Sequence, residues 1–169
     1  MTAFVVESLL VRETLDADRD ALVSIIERTA SLTGDERECA AELLDTYLTQ
    51  PEQTDYFFIT AIKDGSPVGY ACYGDRSLTQ GVWDLYWIVV DERMKGAGVG
   101  RALLGRTEEI LLSLNARMIV AETSGLPAFE AARGFYLRCG FLEEARIRDF
   151  YKPGDDVVFY VKRLTQNAK

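Results

Sequence analysis

A chain of 169 residues, 48% hydrophobic and 27% charged, suits a single domain over residues 1–169 that can bury a core without staples, and it has no apolar run of membrane-spanning length. Its net charge of -8 argues against nucleic acid as the main partner, since phosphate contact needs an excess of Lys and Arg on one face. A cationic amine is compatible with that charge, and so is a surface that merely keeps the protein soluble. There is no His, the usual metal ligand and general base, so no metal is expected and acid-base chemistry falls to Glu, Asp, Tyr, Lys or Cys.

The first ten residues lack a basic flank and carry Glu7, so they predict a first strand rather than a secretory signal, and a cytoplasmic location with no membrane partner. Phe4 to Arg12 is that strand, and Asp16 or Asp18 then caps a helix whose apolar side is Leu22, Ile25, Ile26 and Ala30. A second helix places Cys39, Leu43 and Tyr47 four apart, beside Ala40, Leu44 and Leu48. Tyr56 to Lys63 and Val68 to Tyr73 flank an Asp-Gly pair, a hairpin signal. Trp83 to Val90, apolar apart from Asp84, predicts a central strand buried on both faces.

From Val99 the pattern turns helical, with Leu103, Leu104, Ile110, Leu111 and Leu114 on one side. Arg117 to Thr123 is the next strand, parallel to its predecessor, and Pro127 opens a helix that Gly140 stops near Cys139. Phe141 to Tyr151 and Asp156 to Arg163 pair around "KPGDD". The order is β-α-α-β-β-β-α-β-α-β-β. Cys39, Cys72 and Cys139 show no CxxC spacing and are expected to be reduced thiols packed as small hydrophobes.

The chemistry concentrates where the central strand meets three glycines, Gly96, Gly98 and Gly100, just before the third helix. A glycine-rich turn opening a helix is an anion site in the making, because first-turn amides are unpaired and the dipole is positive there. The P-loop spacing is missing, and GxGxxG fails because Arg101 stands three residues after Gly98. What remains is Lys95-x-x-Gly98-x-Gly100. It resembles the pyrophosphate signature of the GNAT N-acetyltransferases: Gln or Arg, two residues, Gly, one residue, then Gly or Ala. Lys95 departs from the first position but keeps a cation there. "AARGFYLRCGF" is similar to a second family pattern, A-x-x-F-Y-x-x-x-G-F, through Ala132, Phe135, Tyr136, Gly140 and Phe141.

The resemblance implies an α/β (α+β) fold with a mixed, mostly antiparallel sheet flanked by helices. It implies acetyl-CoA as co-substrate, with pantetheine on the backbone of Ile88, Val89 and Val90. Pyrophosphate would lie on Lys95, Gly96, Ala97, Gly98, Val99, Gly100 and Arg101. Glu122, a carboxylate in an apolar strand, matches a general base of some members, against the reading of a solvated strand-end charge. Tyr136 matches the acid that protonates the leaving thiolate, against that of a core tyrosine. Members that acetylate protein N-termini often carry Asn where this chain has Phe129, after a longer "TSGLPAF" stretch. The expected acceptor is therefore a small-molecule primary amine, an amino acid among the candidates. Asp84, Tyr86, Phe150, Tyr151 and Asp155 would line its pocket by charge and cation-π contact. A protein acetyltransferase and a non-catalytic acyl-CoA-binding module are the alternatives, and a homodimer is compatible with each.

Overall fold

A computed structural model of the chain describes residues 9–165. The strands are β1 (Leu10–Glu13), β2 (Phe57–Lys63), β3 (Ser66–Asp75), β4 (Val82–Val90), β5 (Met118–Ser124), β6 (Leu142–Lys152) and β7 (Asp155–Arg163). The helices are α1 (Arg19–Arg28), α2 (Gly34–Thr49), α3 (Val99–Ser113) and α4 (Glu130–Arg138). Their order is the one the hydrophobic periodicity predicts. The strands form one mixed, mostly antiparallel sheet in the order β1-β2-β3-β4-β5-β7-β6, flanked by helices. Parallel pairing occurs between β4 and β5, over Val82–Leu85 and Met118–Ala121, as a helical crossover requires. Of the expected first strand, residues 9–12 are described and Phe4 to Ser8 lie outside the described residues.

The chain groups into two compact units, and each is interleaved in sequence. The first comprises Met1–Cys72 and Trp87–Arg106. Its core joins Leu22, Ile25 and Ile26 of α1 to Ala40 and Leu44 of α2, Phe58 of β2, Tyr70 and Cys72 of β3, and Val89 of β4. Spacings of one and three residues on α1, and of four on α2, put these side chains on one face of each helix. A capping box starts α2: the Glu36 amide donates to Thr33 Oγ1 at 3.2 Å, and the Thr33 amide donates to Glu36 Oε2 at 2.7 Å. The hairpin turn is where Asp64-Gly65 predicts it, both residues at positive φ (50° and 78°).

Several expectations are corrected. Asp18 occupies the cap position of α1 but makes no capping bond; its carboxylate instead takes the Arg12 guanidinium in a fork at 2.6 and 2.9 Å, the stronger charge-assisted contact. Ala30 is exposed because α1 ends at Arg28. Cys39 is exposed on α2, since Ala40 and Leu44 take the core face; Cys72 alone among the three free thiols is buried. Nor is β4 buried on both faces. Leu85 and Val89 are buried, whereas Tyr86, one residue on from Leu85 and so on the opposite face, is exposed and its same-face neighbours Asp84 and Ile88 are half-buried. Leu114 is exposed because α3 stops at Ser113 and the chain turns through Asn115 at φ 60°.

The second unit comprises Tyr73–Tyr86 and Thr107–Lys169. Its β7 lies between β5 and β6, antiparallel to both, and buries Val157, Val158, Tyr160 and Val161. At the sheet edge, β6 is exposed along its length and carries two irregularities, a common way to blunt an edge. A 3-10 turn, Pro127–Phe129, leads into α4, and Gly140 at φ 86° ends it. No helix among the described residues is long and apolar enough to cross a membrane.

Candidate active site

In the first unit, β4 runs into the glycine turn through a 3-10 turn, Glu92–Met94, that Asp91 organises. The Asp91 amide donates to the Val68 carbonyl of β3 at 2.9 Å. Its carboxylate accepts the Arg93 amide at 3.1 Å, the Arg93 guanidinium at 2.6 Å and Arg28 at 3.2 Å. The hydrogen-bonded Arg93 side chain, more than any other contact, pulls the Asp91 carboxyl down to about 2. Beyond it, Gly96 and Gly98 take φ of 79° and 81°, a region closed to most L-residues. No atom lies within 4 Å of where a Cβ would stand at either position, so backbone conformation rather than crowding requires glycine in the free protein. The helical ladder of α3 starts with the Ala102 amide on the Gly98 carbonyl at 3.0 Å. The amides of Val99, Gly100 and Arg101 thus precede the first rung and are available to an anion. Lys95 pairs with Glu92 at 3.1 Å on the surface, and Ile88, Val89 and Val90 close β4.

Gly69, which the periodicity argument passes over, is the tightest glycine of this unit. A Cβ there would meet the Val89 carbonyl oxygen at 2.7 Å and Val90 Cα at 3.2 Å. A glycine in the interior of an apolar strand was the available signal.

In the second unit, Glu122 projects from β5 with its side chain 39% exposed, and its Oε1 accepts Arg76 Nη2 at 2.8 Å. The same guanidinium donates from Nε and Nη2 to Asp84 Oδ1 on β4, at 2.8 and 2.6 Å. Asp84 is 13% exposed at its side chain. Burial pushes its carboxyl up, more than the Arg76 bonds draw it down. The sequence expectation places Asp84 in an acceptor pocket; the structure places it against Arg76. Arg76 itself escaped the sequence reading, although a lone carboxylate in an apolar strand calls for a cationic partner.

Tyr136 faces inward from α4, 6% exposed, in a cluster with Phe141, Tyr160 and Phe135 at ring-centroid distances of 5.3, 5.6 and 5.8 Å. Burial, with a smaller contribution from Cys139, pushes its phenol well up, so it holds its proton throughout the physiological range. Tyr86 is exposed on β4, and Phe150 and Tyr151 are exposed on β6 as an edge-to-face pair at 5.2 Å. Asp155 is buried and accepts the Ser124 hydroxyl at 2.5 Å, a contact that closes the end of β5 onto β7. Among the described residues no group of three or more Cys, Asp or Glu is arranged to hold a metal ion.

Residues 21–141 match the acetyltransferase (GNAT) family. An uncharacterized N-acetyltransferase of Methanocaldococcus jannaschii is 30% identical over 113 residues, 66% of this chain and 69% of that protein. A crystal structure of a GNAT-family protein from Desulfovibrio desulfuricans matches with a TM-score of 0.87 and 35% identity, over 94% of this chain and 100% of that one. An aminoglycoside 6'-N-acetyltransferase from Enterococcus faecium shares the fold, with a TM-score of 0.73 and 13% identity over 95% and 99% of the two chains. The glycine turn at the mouth of α3, the sheet order and the extent of these matches lead to one assignment: the chain belongs to the acetyltransferase (GNAT) family and is an acyltransferase.

Proposed function

We propose that this protein, working as one domain, moves an acetyl group from acetyl-CoA to the primary amine of a small molecule, an amino acid being one candidate, by direct attack. The observation that carries the reading is Glu122: a carboxylate on β5 directly after its apolar run Met118–Ala121, fixed at one oxygen and still open to solvent. Family members use acetyl-CoA, and the free first-turn amides of Val99, Gly100 and Arg101 suit its pyrophosphate. The Ile88–Val90 backbone offers pairing groups to pantetheine.

Glu122 takes the one proton that the nitrogen of the neutral amine loses on forming the amide and releases it to solvent, from which Tyr136 regains the proton it gives to sulfur. The nitrogen forms its bond to the thioester carbonyl carbon, the carbon-sulfur bond breaks, and the sulfur accepts the Tyr136 phenol proton. Burial keeps the phenol protonated but also makes it a weaker acid, so the transfer needs the developing thiolate brought directly against it. Tyr86, Phe150 and Tyr151 supply aromatic faces for a cationic acceptor. Fold neighbours that include an aminoglycoside acetyltransferase are compatible with a small acceptor but do not identify it. The test is thiol release from acetyl-CoA against amino acids, polyamines, aminoglycosides and peptides. Turnover confined to peptides would replace the small-molecule reading with the protein one, and binding without turnover would favour the non-catalytic module. Sedimentation with and without acetyl-CoA tests the homodimer.

A further inference from the structure

The Arg76 guanidinium is placed with unusual care for a residue in a surface connection. Its main chain is tied on both sides: the Arg76 amide donates to the Val82 carbonyl at 2.9 Å, and the Arg76 carbonyl accepts the Thr79 hydroxyl at 2.7 Å and the Thr79 amide at 3.3 Å. Its side chain is tied by two donors converging on Oδ1 of the well-buried Asp84. With both ends fixed, Nη2 reaches Glu122 Oε1 at 2.8 Å. Such a chain fixes the rotamer of a carboxylate that is otherwise partly exposed and free to turn. It also engages Oε1 and no other Glu122 oxygen, which leaves Oε2 for a proton.

We propose that Arg76 is a positioning residue for acyl transfer, held by Asp84, and that its task is to present Glu122 to the acceptor amine through a single oxygen. The inference rests on the reading of Glu122 as general base. It gives Asp84 a role distinct from lining an acceptor pocket: the buried carboxylate acts two bonds back, through the guanidinium. Misorientation of a catalytic group on the ångström scale costs up to about 10²-fold in rate, and the loss falls on kcat when cofactor binding is built elsewhere in the chain.

The experiment is a double-mutant cycle on the full chain, read as kcat, KM for the amine and KM for acetyl-CoA with an acceptor found in the panel. Arg76→Ala should lower kcat by roughly 10-fold to 100-fold with KM for acetyl-CoA unchanged. Arg76→Lys, which keeps a cation but cannot span both carboxylates with the same fork, should recover only part of it. Asp84→Asn should show a smaller loss of the same kind. In the Glu122→Gln background, Arg76→Ala should add almost nothing, because a residue acting through Glu122 has nothing left to position. Full additivity of the two losses in folded proteins would overturn the proposal, as would a wild-type kcat in Arg76→Ala. Should Arg76→Ala fail to fold, Arg76→Lys and Asp84→Asn in both backgrounds carry the same cycle. If Glu122→Gln alone turns over at the wild-type rate, the base assignment fails first. If it is slow while Arg76→Ala is not, the positioning role alone is lost.

Discussion

The two regions proposed to carry the chemistry are built from different material. The glycine turn of the first unit is made of backbone: two residues at positive φ and a helix mouth. The carboxylate cluster and the buried phenol of the second unit are made of side chains drawn from residues 76, 84, 122 and 136. A backbone site tolerates many neighbours but not a Cβ; a side-chain site tolerates a shift in backbone detail but not the loss of one functional group. Each prediction below tests that division.

The largest effect belongs to a single hydroxyl. Tyr136→Phe keeps the ring and its contacts with Phe141 and Tyr160, so folding and acetyl-CoA affinity should be nearly unchanged while kcat falls by roughly 10²-fold to 10⁴-fold. Steady-state kinetics beside calorimetry decide it, and a wild-type rate would return Tyr136 to the core. Glu122→Gln should also lower kcat, with a loss that shrinks at high pH, where more of the amine is already neutral and a base is less needed.

The backbone site should respond in the opposite sense. Gly98→Val places a β-branched residue at φ 81° and fills the approach to the first-turn amides, so acetyl-CoA affinity should fall by roughly 10-fold to 100-fold, about one or two charge-assisted hydrogen bonds. Lys95→Ala should weaken binding only slightly, because Lys95 is an exposed residue already paired with Glu92. Equal losses from the two variants would mean that the cation holds the phosphates as strongly as the backbone does.

A third variant asks whether the frame behind the cradle is as rigid as its contacts. Gly69→Ala would set a methyl 2.7 Å from the Val89 carbonyl oxygen, a backbone atom that cannot swing aside. The expected cost is about 1–3 kcal/mol of stability, measured by urea unfolding, with acetyl-CoA affinity falling in the same protein because β4 must move.

The same division explains what could be read from the sequence. Element order, the parallel step between β4 and β5, and the glycine turn follow from periodicity, turn residues and spacing, all local in sequence, and the structure has them where expected. Tyr136 is singled out by a family pattern, and Glu122 by its charge in an apolar run with the family match beside it. The Arg76–Asp84–Glu122 cluster was not legible, because it joins residues 46 positions apart and nothing local tells which cation answers a buried carboxylate. The cap of α1 was misread for a related reason: Asp18 has the right identity and place, but Arg12 competes for it from six residues away. Where a side chain has two partners to choose from, spacing alone does not choose.

The smallest effect concerns Asp91, a side chain beside the backbone site. Asp91 is 4% exposed and ties the end of β4 to the start of the glycine turn. Its folded carboxyl titrates at about 2, below the unfolded value of about 3.9, chiefly because it accepts hydrogen bonds from Arg93. Between those values the unfolded chain binds more protons than the folded one, so this contribution to stability is complete above the unfolded value and is lost as pH falls toward about 2. Arg93 is 78% exposed, so solvent screening keeps the contribution small. Urea unfolding at pH values from about 5 down to about 2 should show this loss in the wild type; Asp91→Asn, which keeps an acceptor for the Arg93 amide, should be less stable at the upper end and show a shallower decline. If the two proteins decline in parallel, the Arg93 contact contributes nothing. If the variant also binds acetyl-CoA more weakly at neutral pH, the backbone cradle proves to be held in shape by a side chain, and the two regions differ less in kind than in how far the supporting contact lies from the chemistry.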